Sequence, residues 1–150
     1  MIMYIESEKD LEKLIEEYQS IKKLVLEIER KESIKSYKKK LKNTLNDFEM
    51  YYKSEKGQNE IVSEYNLVPG YYDGTFETQE TLLNDFYLGR KEAIKEEIFN
   101  DLDIETQEEY QNLLNLKEQM TSCEMIFTDV KYELDLSDDA YKVYKEMFEK

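Results

Sequence analysis

Histidine and tryptophan are absent from this 150-residue chain, and there is a single cysteine, a single proline and four glycines. Without histidine there is no imidazole general base, no Ser-His or Cys-His nucleophile and no ordinary zinc site. Any enzyme built here would have to work with carboxylates or tyrosines alone. Gly57, Gly70, Gly74 and Gly89 stand at spacings that form neither a P-loop nor a dinucleotide fingerprint. Cys123 has no partner for an internal disulfide and falls on an apolar stripe, where it reads as a small hydrophobe filling core. No apolar run approaches the roughly 18 residues of a membrane span. Met1 to Ile5 is apolar but lacks the basic flank of a signal peptide, so a cytoplasmic protein is expected.

Charge is what the chain has in excess. Asp and Glu number 35 against 21 Lys and Arg, for a net charge of −14. Its distribution is polarised: Lys22 to Lys56 carries 11 basic and 6 acidic residues, whereas Gly57 to Lys150 carries 8 and 23. Such a field disfavours duplex DNA and anionic membranes and suits either solubility or a basic partner. A chain of this length fits one domain that buries roughly 70% of its unfolded surface, so a single helical domain over 1–150 is expected.

Helical periodicity dominates the pattern. Leu113, Leu116, Met120, Cys123, Phe127, Val130 and Leu134 alternate steps of three and four, the spacing of a coiled-coil-like seam, across Tyr110 to Leu134 without a glycine or proline. Leu11, Leu14, Tyr18, Ile21, Val25 and Ile28 form a second seam behind a helix start at Ser7. After Ile28 the phase slips, and Ile34, Tyr37, Leu41, Leu45, Phe48 and Tyr52 make a third stripe for which Ser33 is a candidate cap. Over 7–53 the reading is two antiparallel helices, with one long helix carrying a stutter as the alternative.

Gly57-Gln58-Asn59 reads as a stop signal, and Glu60 to Leu67 as a short helix or strand. Residues 68–76 hold the only proline and the Asp73-Gly74 pair and predict a turn or tight hairpin that displays tyrosines. Thr78 to Asn100 returns to helical spacing, and Ser137-Asp138-Asp139 opens a last helix with Tyr141, Tyr144, Met147 and Phe148. The fold class is therefore all-α, an elongated bundle of long amphipathic helices with one turn or hairpin at 68–76. The elongation follows because about 30 helical residues span roughly 45 Å. A rival pattern exists, since Thr128, Val130, Tyr132, Leu134 and Leu136 also alternate with period two. That alternative is an α+β fold whose small sheet pairs 1–5 with 126–136.

Three chemistries are weighed against the residues. Asp101, Asp103, Glu105, Gln107 and Glu109 fall like the opening of a calcium loop, but Thr106 stands where glycine is needed and Asn112 where a bidentate glutamate is needed. Glu105 and Glu108 form one of the two acidic pairs by which an all-helical nucleotide pyrophosphohydrolase binds magnesium; the second is missing, because Leu136 follows Glu133 where an aspartate belongs. Arg30, Lys31, Lys35, Lys38, Lys39, Lys40 and Lys42 could mark a nucleic-acid patch, yet within a −14 protein they read more simply as a solvated face that pairs with acidic residues.

The functional expectation is a non-catalytic acidic binding protein that needs no cofactor or metal. It inhibits a basic partner such as a nuclease, without touching nucleic acid or membrane directly. Inhibitors that phages and plasmids direct against host defence nucleases, anti-CRISPR proteins among them, have this size and charge. The expected contacts are Tyr71, Tyr72, Asp73 and Glu77 in the loop, with Asp101, Asp103, Glu105, Glu108 and Glu109 as acidic companions. An immunity protein or antitoxin that blocks a toxin is the first alternative. A structural protein that self-associates through its seams, as in a homodimer, is the second.

Overall fold

The computed structural model describes residues 5–149, and within them the chain forms six helices and one small hairpin. These are α1 (Glu8–Glu29), α2 (Glu32–Lys53), α3 (Glu55–Glu64), β1 (Gly70–Tyr72), β2 (Thr75–Glu77), α4 (Gln79–Asn100), α5 (Ile104–Glu133) and α6 (Asp138–Glu149). The fold is all-α. Helix starts follow from side-chain chemistry: Ser7, Ser54 and Thr78 accept from the backbone N–H of Asp10, Gly57 and Thr81. Ser137 accepts likewise from Ala140. Each such bond satisfies a donor that the first turn would otherwise leave bare. Among the described residues no helix is long and apolar enough to cross a membrane.

The described chain divides into two compact units, one running to Ile34 and resuming at Glu108, the other spanning Lys35–Gln107. In the first unit Leu11, Leu14, Ile15, Tyr18, Ile21 and Val25 of α1 share one core with Leu113, Leu116, Cys123, Phe127 and Val130 of α5 and Phe148 of α6. Helices α1 and α5 are antiparallel, as Tyr18 reaches Glu124 (2.9 Å), Glu29 reaches Lys117 (3.4 Å) and Lys31 reaches Glu109 (2.8 Å). Phe127 stacks between Tyr141 (5.1 Å) and Phe148 (4.4 Å) and so anchors α6. The end of α6 is capped from α1, where Gln19 donates to the Met147 carbonyl and Lys22 to that of Glu149. Both seams legible in the sequence are consumed inside this core.

The strand alternative for 126–136 gives way to helix. Phe127 and Val130, three apart, are both buried, while Tyr132 is 79% exposed. Burial therefore follows the helical period and not the alternating one. Helix α5 ends where Asp135 turns left-handed (φ 48) and the Leu136 N–H donates back to the Lys131 carbonyl, a Schellman closure. The proposed partner strand lies outside the described residues, apart from Ile5, which joins the core of this unit.

In the second unit α2 and α4 are antiparallel, with Tyr37 against Phe99 (6.4 Å) and both Phe48 (5.8 Å) and Tyr52 (4.5 Å) stacked on Tyr87. Ile61, Leu83, Ile94 and Ile98 are its buried aliphatics. The chain does break at the phase slip, with a turn at Arg30 between α1 and α2. The stripe of α1 is covered by α5 and α6, while that of α2 divides, Ile34 joining the core of the first unit and Tyr37, Phe48 and Tyr52 meeting α4. Two smaller expectations also change. Ser33 lies inside the first turn of α2 and is not its cap, since the helix has already resumed at Glu32. Gly57 lies inside α3 and does not stop a helix; the break comes at Ser54.

Candidate functional site

The hairpin at 70–77 is built by local chemistry on both flanks. Helix α3 closes with Asn66 left-handed (φ 53) and the Leu67 N–H donating to the Val62 carbonyl. Strands β1 and β2 pair antiparallel with Tyr71 opposite Phe76 and Tyr72 opposite Thr75, which leaves Asp73-Gly74 as a two-residue loop. Both loop residues have positive φ (52 and 83), the requirement of a type I′ turn and the reason an Asp-Gly pair sits there. A lone two-stranded hairpin is marginal in water, so its ties to neighbouring chain matter. The Tyr72 hydroxyl donates to the Val68 carbonyl (2.7 Å), and β2 runs straight into Thr78, the cap of α4.

The result is an ordered aromatic surface. The Tyr71 and Phe76 rings meet edge to face at 5.3 Å, yet remain 78% and 54% exposed. Tyr72 is exposed on the other face of the ribbon, while Tyr65 packs on Phe86 of α4 (4.6 Å). Exposed apolar groups gathered in one place mark interaction sites far more often than scattered ones do. The surrounding sequence carries one sign of charge only: between Lys56 and Arg90 there is no Lys or Arg, but there are Glu60, Glu64, Asp73, Glu77, Glu80 and Asp85. Elsewhere in the protein rings acquire internal cations, Lys91 over Tyr87 (5.1 Å) and Lys131 over Tyr141 (4.6 Å). Among the described residues no such cation stands over Tyr71, Tyr72 or Phe76.

The nine residues expected to make contacts do not form one surface. Tyr71, Tyr72, Asp73 and Glu77 all belong to the hairpin. Asp101, Asp103 and Glu105 sit at the junction of α4 and α5, and the 22 residues of α4 put about 33 Å between the two groups. That junction is structural in design. Asp101 caps α4, the Asp103 carbonyl accepts from the Gln107 N–H, and the Gln107 amide donates to the carbonyls of Phe99 and Leu102. Glu108 and Glu109 belong to the other unit, where Glu109 is half-buried and ion-paired with Lys31. Among the described residues no group of three or more His, Cys, Asp or Glu is placed to hold a metal ion.

Sequence reasoning missed Phe76 as a contact candidate. The signal for Phe76 was available: a two-residue Asp-Gly turn forces residue 71 opposite residue 76. A second recess lies in the first unit, a cavity of about 260 Å³ floored by Tyr18, Phe127, Tyr141 and Phe148 with Glu124 and Lys145 at its rim. Its rings stack on one another, and it is smaller than the roughly 300–1,000 Å³ of most ligand pockets. The hairpin is the better site. No family model matches the chain, and neither a curated protein nor a solved structure shows significant similarity to it.

Proposed function

We propose that this protein is a non-catalytic binding protein that docks through the 68–77 hairpin on the basic surface of a nucleic-acid-binding partner, such as a nuclease, and blocks it. The observation that carries this reading is the exposed Tyr71–Phe76 pair on an I′ hairpin within a 33-residue stretch that has six carboxylates and no cation. Aromatic anchors with two χ angles lose little entropy on binding, and a rim of one charge selects a partner of the other. A net charge of −14 supports the same sign of partner and would repel nucleic acid itself. Occluding a groove evolved for phosphates is the way such a surface inhibits without chemistry of its own.

The test is parallel capture from the native host with the tagged protein and with its Tyr71→Ala/Phe76→Ala variant. A basic nucleic-acid-binding protein is expected to be retained by the first and lost by the second, and to bind its nucleic acid less well when the first is added. Equal retention by both would remove the hairpin from the mechanism. Failure of the protein to lower the captured partner's nucleic-acid binding would remove inhibition.

A further inference from the structure

We infer that the Tyr71–Phe76 face of the hairpin recognises arginine side chains of its partner, with the guanidinium plane laid on an aromatic ring and its N–H groups directed to the Asp73 carboxylate at the tip. This deepens the docking role proposed above and rests on it. Four observations lead to it. The edge-to-face contact of the two rings, at 67°, leaves an aromatic face open beside the shared edge. Rings that are half exposed or more are ready for a partner with a flat, weakly hydrated group.

The chain supplies no cation to those rings between Lys56 and Arg90, although it supplies lysines to Tyr87 and Tyr141. The hairpin also carries a carboxylate of its own at the tip, Asp73, two residues beyond Tyr71, whereas Glu77 follows Phe76 in β2 and falls on the other face of the ribbon. Two residues of chain span at most about 7 Å, a distance that a long side chain stacked on the ring covers with its charged end.

Lysine and arginine are not equivalent here. Ammonium is a compact, strongly hydrated point charge, whereas guanidinium is planar, sheds water more readily, stacks on rings and forks onto carboxylates. A purely apolar partner would bring nothing to a rim of carboxylates alone. Anionic lipid and nucleic acid are opposed by the same rim. The chemistry that satisfies rings and carboxylates together is that of an arginine-rich protein surface.

Nona-arginine and nona-lysine peptides test this by calorimetry against the full chain, with Tyr71→Ala/Phe76→Ala and Asp73→Asn as variants whose helicity and melting are checked first. The expected result is that nona-arginine binds about two- to fivefold more tightly for each guanidinium stacked, the scale of an exposed cation–π contact. The double variant is expected to bind the two peptides equally, and Asp73→Asn to weaken nona-arginine more than nona-lysine. Equal affinity of the unaltered chain for the two peptides, or a preference that survives the double variant, overturns the arginine inference and leaves docking on a basic partner standing. Binding of neither peptide overturns both. If the double variant melts early, Tyr71→Leu/Phe76→Leu keeps the apolar bulk without the π-face, and persistence of the arginine preference in it overturns the inference.

Discussion

Gly57 and Gly89 both stand inside helices, but the space around them differs. A Cβ on Gly57 would lie 1.8 Å from the Tyr51 carbonyl oxygen and 2.7 Å from its carbon, while one on Gly89 would meet nothing within 4 Å. The close approach belongs to the corner between α2 and α3, where Ser54 donates to the Tyr51 carbonyl (2.7 Å) and accepts from the Gly57 N–H (3.0 Å). Backbone cannot give way there as a side chain would. Gly57→Ala is therefore expected to destabilise by on the order of 1–3 kcal/mol, as overpacking does. Gly89→Ala is expected to stabilise by up to about 1 kcal/mol through helix propensity. Urea denaturation of the two variants reads both values, and shifts of the same sign would contradict this account of the corner. The sequence alone reads Gly57 as a stop signal and gives no hint of this crowding, because a contact with Tyr51, six residues back, leaves no mark on local periodicity.

At the scale of elements the seams of α1 and α5 were legible since a/d spacing is imposed by the packing itself. Where two periods fitted the same residues, as at 128–136, the decision fell to core partners: Phe127 and Val130 had Phe148 and α1 to meet, and helical spacing delivered both. The hairpin was legible through its turn chemistry, but its separation from the Asp101–Glu105 junction was not, because distance depends on α4 remaining one unbroken helix across Gly89. The α1–α5 pairing also carries a pH dependence. Burial, helped by donation to the Glu124 carboxylate, pushes the Tyr18 phenol from its ordinary 10 up to about 12. The raised value means that the folded state favours the protonated phenol. Its stabilising contribution is complete below pH 10 and is lost as pH rises through about 12. Stability measured from pH 9 to 12 is expected to fall, and to fall less in Tyr18→Phe, which has no proton to lose there. Identical alkaline profiles for the two proteins would mean that this phenol is not held by the fold.

For the molecule as a whole, charge and contact make separable contributions to binding a basic partner. A net charge of −14 acts over the Debye length, about 8 Å at physiological salt and about 3 Å at 1 M. The hairpin rings act only on touching. The sign of the charge could be read from composition, and this is why a basic partner was expected before any fold was known. The anchor could not be read so directly, because exposure of Tyr71 and Phe76 is set by strand register and by the turn. The two contributions predict different kinetics. Raising NaCl from about 0.05 to about 0.5 M is expected to slow association with nona-arginine by roughly tenfold or more, the scale of electrostatic steering, and to change dissociation much less. Tyr71→Ala/Phe76→Ala is expected to do the reverse, speeding dissociation at every salt concentration and leaving the salt slope of association intact. Stopped-flow or surface-binding kinetics distinguish the two. An association rate indifferent to salt would mean that the acidic surface serves solubility alone, and an unchanged dissociation rate in the double variant would place the anchor somewhere other than the hairpin.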